Sequence, residues 1–352
     1  MNMKNLLIIT GAGASYDVAR PSETNVNRYY KPPLTKELFL SGEQQTTEWI
    51  RDCLGNHPFA AQIGKDHNKN NTTLEQYLFD IKNMKSHPTI QEHYFTVPIY
   101  LHELFLDISY KYIKSKIPCV PSNYYSLLLA LTKGFYTTII WINLNYDLFA
   151  DKAITALTNK AFNSFDAYMD IEIREGIKIM YTKPHGSVDW FRKNGKAIPW
   201  DEIEMKYIPD NFEESLSDNI LTEHMAHTAG LHPKEKWLYP AILPPIGHYE
   251  FLYKNHIKKI LPALKETTSI LCIGFSALDQ DVLTLLKENI THVEKMKIVN
   301  GDSNSGGEAY KRIKEYMRAQ LNRPEHEVAF DGGFSQFVKT DVSEWLSNPD
   351  VK

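Results

Sequence analysis

Short apolar runs, each ending in small or polar residues, punctuate this chain, and amphipathic stretches fill the gaps between them. The first run, Leu6-Leu7-Ile8-Ile9, flows directly into Thr10-Gly11-Ala12-Gly13-Ala14-Ser15. The second is Thr137-Thr138-Ile139-Ile140-Trp141-Ile142. Others cover Ile177 to Thr182, Ser269-Ile270-Leu271-Cys272-Ile273 and Lys297-Ile298-Val299. Runs this short, β-branched and continuously apolar predict buried parallel strands. Helical periodicity between them predicts an α/β fold built on a doubly wound parallel sheet.

The helical patterns set the organisation. Thr35 is placed to cap a short helix through Leu38 and Phe39. Thr72-Thr73-Leu74-Glu75 fits a capping box, opening a helix with Leu74, Tyr77, Leu78 and Ile81 on one face. A longer helix is predicted over Ile99 to Ile117. Another runs from Ser122 through Leu127, Leu128 and Leu131 to Gly134. Residues 36–134 thus read as a large helical insertion after the first strand. Its aromatic faces either enlarge the core or dock a partner. The run Lys65 to Asn71 reads as a solvated loop or mobile tip, and a polar stretch, Asp17 to Lys31, follows the glycine turn. Residues 191–240, with Pro199, Pro209 and Pro233, read as a second, irregular insertion. A final helix over 334–347 places Phe334, Phe337, Val338, Val342 and Trp345 at helical spacing, as a core-docking face.

With 352 residues the chain is long enough for one elaborated domain or two smaller ones. A net charge of −4 gives no global basic field to recruit nucleic acid, and direct nucleic-acid binding is not indicated. Cys53, Cys119 and Cys272 are scattered, which argues against a disulfide framework and a cysteine-rich zinc site. Lys4 is followed by four apolar residues before the glycine turn, too few for a signal peptide. No apolar stretch nears the roughly 20 residues that span a bilayer. A reducing, cytoplasmic setting without membrane association is the expectation.

Candidate chemistry gathers where strands end, which is where open α/β sheets place their ligand crevice. Gly11, Ala12, Gly13 and Ser15 form a small-residue turn. It either lets backbone N–H groups approach a phosphate or simply makes a tight strand-to-helix connection. Asn145 and Asp147 follow the strand at Ile139. Asp147 is a cap or a ligand contact, while Asn145, whose amide both donates and accepts, suits a sugar hydroxyl or a water. His185 sits between Pro184 and Gly186 and is aimed by them, with Asp147 or Asn145 as possible partners. Gly274 and Ser276 form a second small-residue turn suited to phosphate or adenosine. Asp279 or Asp281 caps the following helix. Asn300 and Asp302 end the strand at Ile298, where they bind ribose hydroxyls or shape a turn.

Taken in order, Gly11-Ala12-Gly13-Ala14-Ser15, Pro33-Leu34-Thr35, Asn145-Tyr146-Asp147, His185-Gly186-Ser187, Gly274-Phe275-Ser276 with Asp279 and Asp281, and Val299-Asn300-Gly301-Asp302 resemble the sirtuin superfamily. They resemble in particular its bacterial NAD-hydrolase branch of anti-phage defence. The resemblance implies a single Rossmann-like domain over 1–352 and NAD+ as substrate. It implies catalytic roles for Asn145 and His185. Gly11, Ala12, Gly13, Ser15, Asp147, Gly274, Ser276, Asn300 and Asp302 would then hold the dinucleotide. The expected reaction is cleavage of NAD+ to nicotinamide and ADP-ribose, with no metal. The resemblance also implies a homo-oligomer working with a companion defence protein, a HerA-like ATPase or an Argonaute-type sensor. Sirtuin deacylases carry a four-cysteine zinc module that three scattered cysteines cannot supply. An NAD-dependent protein deacylase and a non-catalytic subunit binding NAD or ADP-ribose are the alternatives. The third glycine of a Gly-x-Gly-x-x-Gly dehydrogenase fingerprint would fall at Tyr16, which argues against that class.

Overall fold

The computed structural model describes residues 4–18, 32–39, 48–67, 72–84, 88–115, 122–193, 220–228, 238–245, 251–321 and 329–347. Strand β1 (Lys4–Thr10) lies at the middle of a seven-stranded sheet. On one side of it come β2 (Tyr136–Asn143), β4 (Ile177–Thr182) and β3 (Ile171–Arg174). On the other side come β8 (Thr267–Ile273), β9 (Lys295–Val299) and β10 (Ala329–Phe330). All neighbours pair in parallel except β3 with β4. Leu6, Leu7, Ile8 and Ile9 are all fully buried, as are Ile139 to Ile142 and Ile270 to Ile273. Successive strand residues face opposite sides, so continuous burial means that both faces of the sheet are covered. The expected doubly wound α/β sheet is therefore the observed one. Strands β3 and β10 are additions that the apolar pattern did not reveal, since short edge strands carry too few apolar residues to register.

Between β1 and β2 the chain is helical wherever it is described. After α1 (Ala12–Val18) come α2 (Glu48–Gly55), α3 (Pro58–His67), α4 (Leu74–Lys82), α5 (Pro88–Ser115) and α6 (Ser122–Leu131). The cap of α4 is Thr73, whose hydroxyl accepts from the Gln76 N–H, one residue on from the Thr72–Glu75 box. Thr35 begins a single 3-10 turn to Glu37 rather than capping a helix, and Leu34 is the capping position. Helix α5 begins at Pro88, eleven residues before the predicted Ile99, so Pro98 lies inside it. Burial of Val97, Tyr100, Leu101 and Leu104 offsets the hydrogen bond that proline removes. Lys65 to His67 finish α3, whereas residues 68–71 of the polar run and 19–31 after α1 lie outside the described residues.

Helix α7 (Phe149–Thr158) follows β2, and α9 (Lys254–Lys265) packs on β1, β2 and β4. Part of the segment read as irregular is ordered. Strand β5 (Gly186–Lys193) pairs antiparallel with β6 (Ile220–Thr222), which leads into α8 (Glu223–Thr228), and with β7 (Leu238–Ile242). These strands are brief, and Pro240 sits on β7, an edge of this small sheet. The sheet forms from contacts distant in sequence, which local periodicity does not carry. Pro199, Pro209 and Pro233 lie outside the described residues.

Helices α10 (Gln280–Asn289) and α11 (Ser303–Tyr316) flank β9 in sequence. The predicted final helix is two helices, α12 (Gly333–Thr340) and α13 (Val342–Ser347). They part at Asp341, whose carboxylate pairs with Lys297 of β9 at 2.7 Å. Phe334, Phe337, Val342 and Trp345 are buried, as a docking face requires. No helix among the described residues is long and apolar enough to cross a membrane.

Candidate active site

The strands finish in register. Thr10 pairs with Asn143 on one side and Ile273 on the other, and Ile273 pairs with Val299. Gly11, Leu144, Gly274 and Asn300 therefore emerge side by side at one edge of the sheet. The chain leaves β1 for β2 and β4, then returns to the opposite side of β1 for β8 and β9. That reversal is a topological switch point, and the crevice of an open α/β sheet lies above it.

Two small-residue turns pack against each other there. The Gly11 N–H donates to the Ile273 carbonyl at 3.0 Å and the Gly13 N–H to the Gly274 carbonyl at 3.2 Å. A Cβ on Gly13 would stand 2.9 Å from the Gly274 Cα. Gly274 has φ +59°, and a Cβ there would stand 2.1 Å from the Ala14 nitrogen. The glycines thus permit backbone contact between the turns, and two of the N–H groups that the sequence offered to a phosphate are spent on that contact. Ala12 begins α1 beside them.

Asn145 ties the next strand end to the same turn. Its Nδ2 lies 3.0 Å from the Gly11 carbonyl, 3.0 Å from Ser15 Oγ and 3.3 Å from the Tyr124 hydroxyl. Its backbone N–H donates to Asn143 Oδ1. The amide nitrogen thus holds the protein together, and Oδ1 is the part of this side chain left for a ligand. Ser15 also contacts Tyr124 of α6 at 3.0 Å, so a helix of the insertion braces the turn.

Beneath these groups runs a buried polar network that the sequence reading passed over. The Trp141 ring N–H donates to Thr10 Oγ1, Thr10 donates to Asn143 Oδ1, and Asn143 Nδ2 donates to the Tyr181 hydroxyl. Tyr181 donates to Asp151 Oδ2 at 2.9 Å. Lys183 is fully buried, and its ammonium donates to Asp151 Oδ2 at 3.2 Å, the Asp147 carbonyl at 2.7 Å and Ser187 Oγ at 2.7 Å. A buried ammonium is stable only when so surrounded. The available signal was a lysine ending an apolar strand, with Asp147 and Asp151 one helical turn apart.

Asp147 Oδ1 accepts the Phe149 N–H, and Oδ2 makes no hydrogen bond among the described residues. Burial raises this carboxyl, while Lys183 and the nearby Ser15 hydroxyl act against the rise. Burial also lifts Asp189 of β5 to about 6, with Lys183 opposing and Asp151 adding to the shift.

His185 occupies a tight turn. The Gly186 N–H donates to the Lys183 carbonyl, and Pro184 supplies the fixed φ at the turn's second position. Gly186 has φ +90°, and a Cβ there would lie 1.9 Å from the Ala241 carbonyl. The His185 carbonyl accepts from Leu243, so β7 holds the turn from outside. The ring faces neither Asp147 nor Asn145. Its Nε2 lies 2.7 Å from Oδ2 of Asp279, with the two side chains 13% and 14% exposed. The carboxylate thus lies against the ring edge, and the contact becomes an ion pair when His185 is protonated. Asp279 is also the cap of α10, its Oδ1 accepting the Val282 N–H. Burial alone would raise its carboxyl. The His185 charge and the N–H groups of Val282 and Asp281 outweigh that and hold it below the usual range.

The remaining predicted contacts line the β8–β9 side. Ser276 is exposed, its carbonyl accepting from Arg312. The Asn300 backbone is fixed by Phe330 and Gly333. Asp302 caps α11, accepting from the Ser305 N–H and contacting its hydroxyl. A cavity of about 430 Å³ between Ile154 and Ile171 lies elsewhere, beyond the far end of α7, and no strand-end residue lines it. The strand-end crevice is the better candidate, because the polar groups converge there.

Residues 140–300 match the family model described as a SIR2-like domain. No curated protein gives a significant match. Among solved structures, a Sir2 enzyme described for its mechanism and regulation is 13% identical, with 98% of this chain and 92% of that chain covered at a TM-score of 0.39. A Sir2 homologue variant in complex with 2′-O-acetyl ADP-ribose is 13% identical, with 98% and 91% covered at 0.40. A Sir2 homologue–NAD complex is 13% identical, with 91% and 91% covered at 0.35. The SIR2-like likeness therefore lies in residues 140–300, the stretch that carries Asn145, His185 and Gly274.

Proposed function

We propose that this protein is an NAD+ glycohydrolase that breaks the bond between nicotinamide and ribose. The observation that carries the reading is that Asn145 and the paired His185 and Asp279 all follow strand ends on the switch-point edge of the sheet. Nicotinamide leaves NAD+ as a neutral base from a cationic centre, so its departure needs no strong acid. The ribose passes through an oxocarbenium-like state, as in other glycoside cleavages. Asn145 Oδ1 accepts from the attacking water or a ribose hydroxyl and fixes it. His185 takes the proton that water loses as its oxygen bonds to C1′. The products are nicotinamide, ADP-ribose and a proton. Asp147, with its unpartnered buried Oδ2, fits a donor such as the nicotinamide carboxamide N–H. Gly274, Ser276 and Asn300 lie on the side where the adenosine half would rest.

The test is direct. Purified protein incubated with NAD+ should release nicotinamide without any acylated peptide, and Asn145→Ala and His185→Ala should abolish release while remaining folded. Release that requires an acyl-lysine peptide would make the protein a deacylase. Binding of NAD+ with no turnover would make it a non-catalytic subunit. The reading extends to a cytoplasmic, gated effector of anti-phage defence, because unrestrained NAD+ loss would harm the cell that makes it. Such an effector would be oligomeric and held with a companion ATPase or Argonaute-type protein. A chain sedimenting at its 40.6 kDa monomer mass and hydrolysing NAD+ at full rate alone would exclude that gate.

A further inference from the structure

Asp279 and His185 follow strands β8 and β4, which are separated in the sheet by β1 and β2. At about 4.8 Å between neighbouring strands, three steps separate their strand ends. The side chains nevertheless meet at 2.7 Å. The turns carrying them therefore arch toward each other over the ends of β1 and β2, where Gly11 and Asn145 lie. The β8 turn is built for that reach. It has left-handed backbone at Gly274 and again at Ala277, φ +55°, a conformation that residues other than glycine rarely adopt. Arg312 of α11 holds the Ser276 carbonyl from behind, and Asp279 is pinned at the start of α10.

We propose that Asp279 is a positioning residue for His185, fixing its ring over the crevice and stabilising the imidazolium formed when His185 takes a proton. The inference rests on the hydrolase reading. Nε2 faces the carboxylate, so Asp279 meets the ring from the β8 side of the crevice. A carboxylate behind a histidine base does the same work in other sites of this logic: it orients the ring and favours its charged form. Among the described residues, Tyr146, on the loop after β2, is in electrostatic reach of Asp279, and Tyr94 of α5 and Glu75 of α4 are in reach of Tyr146. Asp279 and Glu75 both act electrostatically on the Tyr146 hydroxyl, as does Tyr94. Tyr146 donates to the Leu243 carbonyl, and burial keeps it protonated, so Asp279 supplies the negative charge in direct contact with the ring. Asp281 turns its backbone N–H toward Asp279.

The experiment compares the full chain with Asp279→Asn and Asp279→Ser. Both replacements are good helix caps, so α10 keeps its start while the charge is lost. The readouts are kcat, KM for NAD+, the pH profile of kcat/KM, and the NMR signals of the His185 ring at fixed pH. Each variant should lose kcat by about tenfold or more, with KM little changed. The acid limb of the profile should move to lower pH, because the positive charge formed on the base has lost its counter-charge. Unchanged kcat and acid limb in an active protein would overturn the positioning role and leave the hydrolase reading standing. Unmoved His185 ring signals in both variants would overturn the pairing even in a protein without NAD+ turnover. Absence of turnover in the parent chain would instead overturn the hydrolase reading.

Discussion

Gly13 and Gly274 meet backbone to backbone, the N–H of one donating to the carbonyl of the other at 3.2 Å. This contact closes the turn after β1 onto the turn after β8, and both turns line the crevice. Gly274→Ala would put a methyl group 2.1 Å from the Ala14 nitrogen at a φ that disfavours side chains. The expected result is a loss of about 2 kcal/mol or more, together with loss of NAD+ binding. Gly301→Ala, with no atom within 4 Å of the added carbon, is the control and should melt like the parent. Equal melting temperatures for the two variants would refute the close-approach argument.

Asn145 has a structural share as well as a chemical one. Asn145→Ala leaves the Gly11 carbonyl, Ser15 and Tyr124 without their shared donor. It should cost about 1–3 kcal/mol of stability on top of abolishing turnover. Asn145→Asp replaces that donor with an acceptor and should be no better. Thermal melts and nicotinamide release, measured on the same preparation, check both effects.

Lys183 is the buried cation on which the loop from Tyr146 to Asp147 hangs. Lys183→Met leaves Asp151 facing Tyr181 alone and removes the donor to two loop carbonyls. Breaking one side of a buried ion pair costs about 3–5 kcal/mol. Urea unfolding should show a fall of that order, and Lys183→Met with Asp151→Leu should recover part of it. A fall within experimental error would mean that the pair does not support the fold.

Asp189 gives stability a pH signature. Its folded carboxyl titrates near 6, above its unfolded value, so the folded state binds the proton more tightly. The unfolded state binds fewer protons through that window, and stability from this group falls as pH rises from about 4 to about 6. Asp189→Asn removes the term. The variant should gain on the parent as pH rises from 4.5 to 7.5, measured by denaturant unfolding at each pH. A constant difference between parent and variant would contradict the assignment.

Much of the scaffold was legible from local pattern. Leu6–Ile9, Ile139–Ile142 and Ile270–Ile273 are apolar on every residue, and only a sheet covered on both faces buries such runs. The turn at Pro184-His185-Gly186 was equally readable, because proline and glycine impose backbone angles within a few residues. The short strands β3, β6, β7 and β10 and the break at Asp341 were not. Strands β6, β7 and β10 and Asp341 depend on partners far away in the chain, as Asp341 depends on Lys297, and β3, a hairpin partner of β4, is too short to register.

The site divides in the same way. Asn145, His185 and Gly274 stand out in the sequence because asparagine, histidine and glycine at strand ends have few local reasons to be there. Their partners do not. His185 sits 94 positions before Asp279, and the nearer Asp147 and Asn145 were the natural candidates by sequence. The parallel topology carried β8 back beside β1, and the left-handed turn at Gly274 and Ala277 swung Asp279 across the sheet edge. The sequence by itself determined which side chains stand at the strand ends, because strand, turn and cap are settled by neighbours. Which of them touch was decided by the tertiary structure, because strand order and the path of the turns set distances that no local pattern encodes.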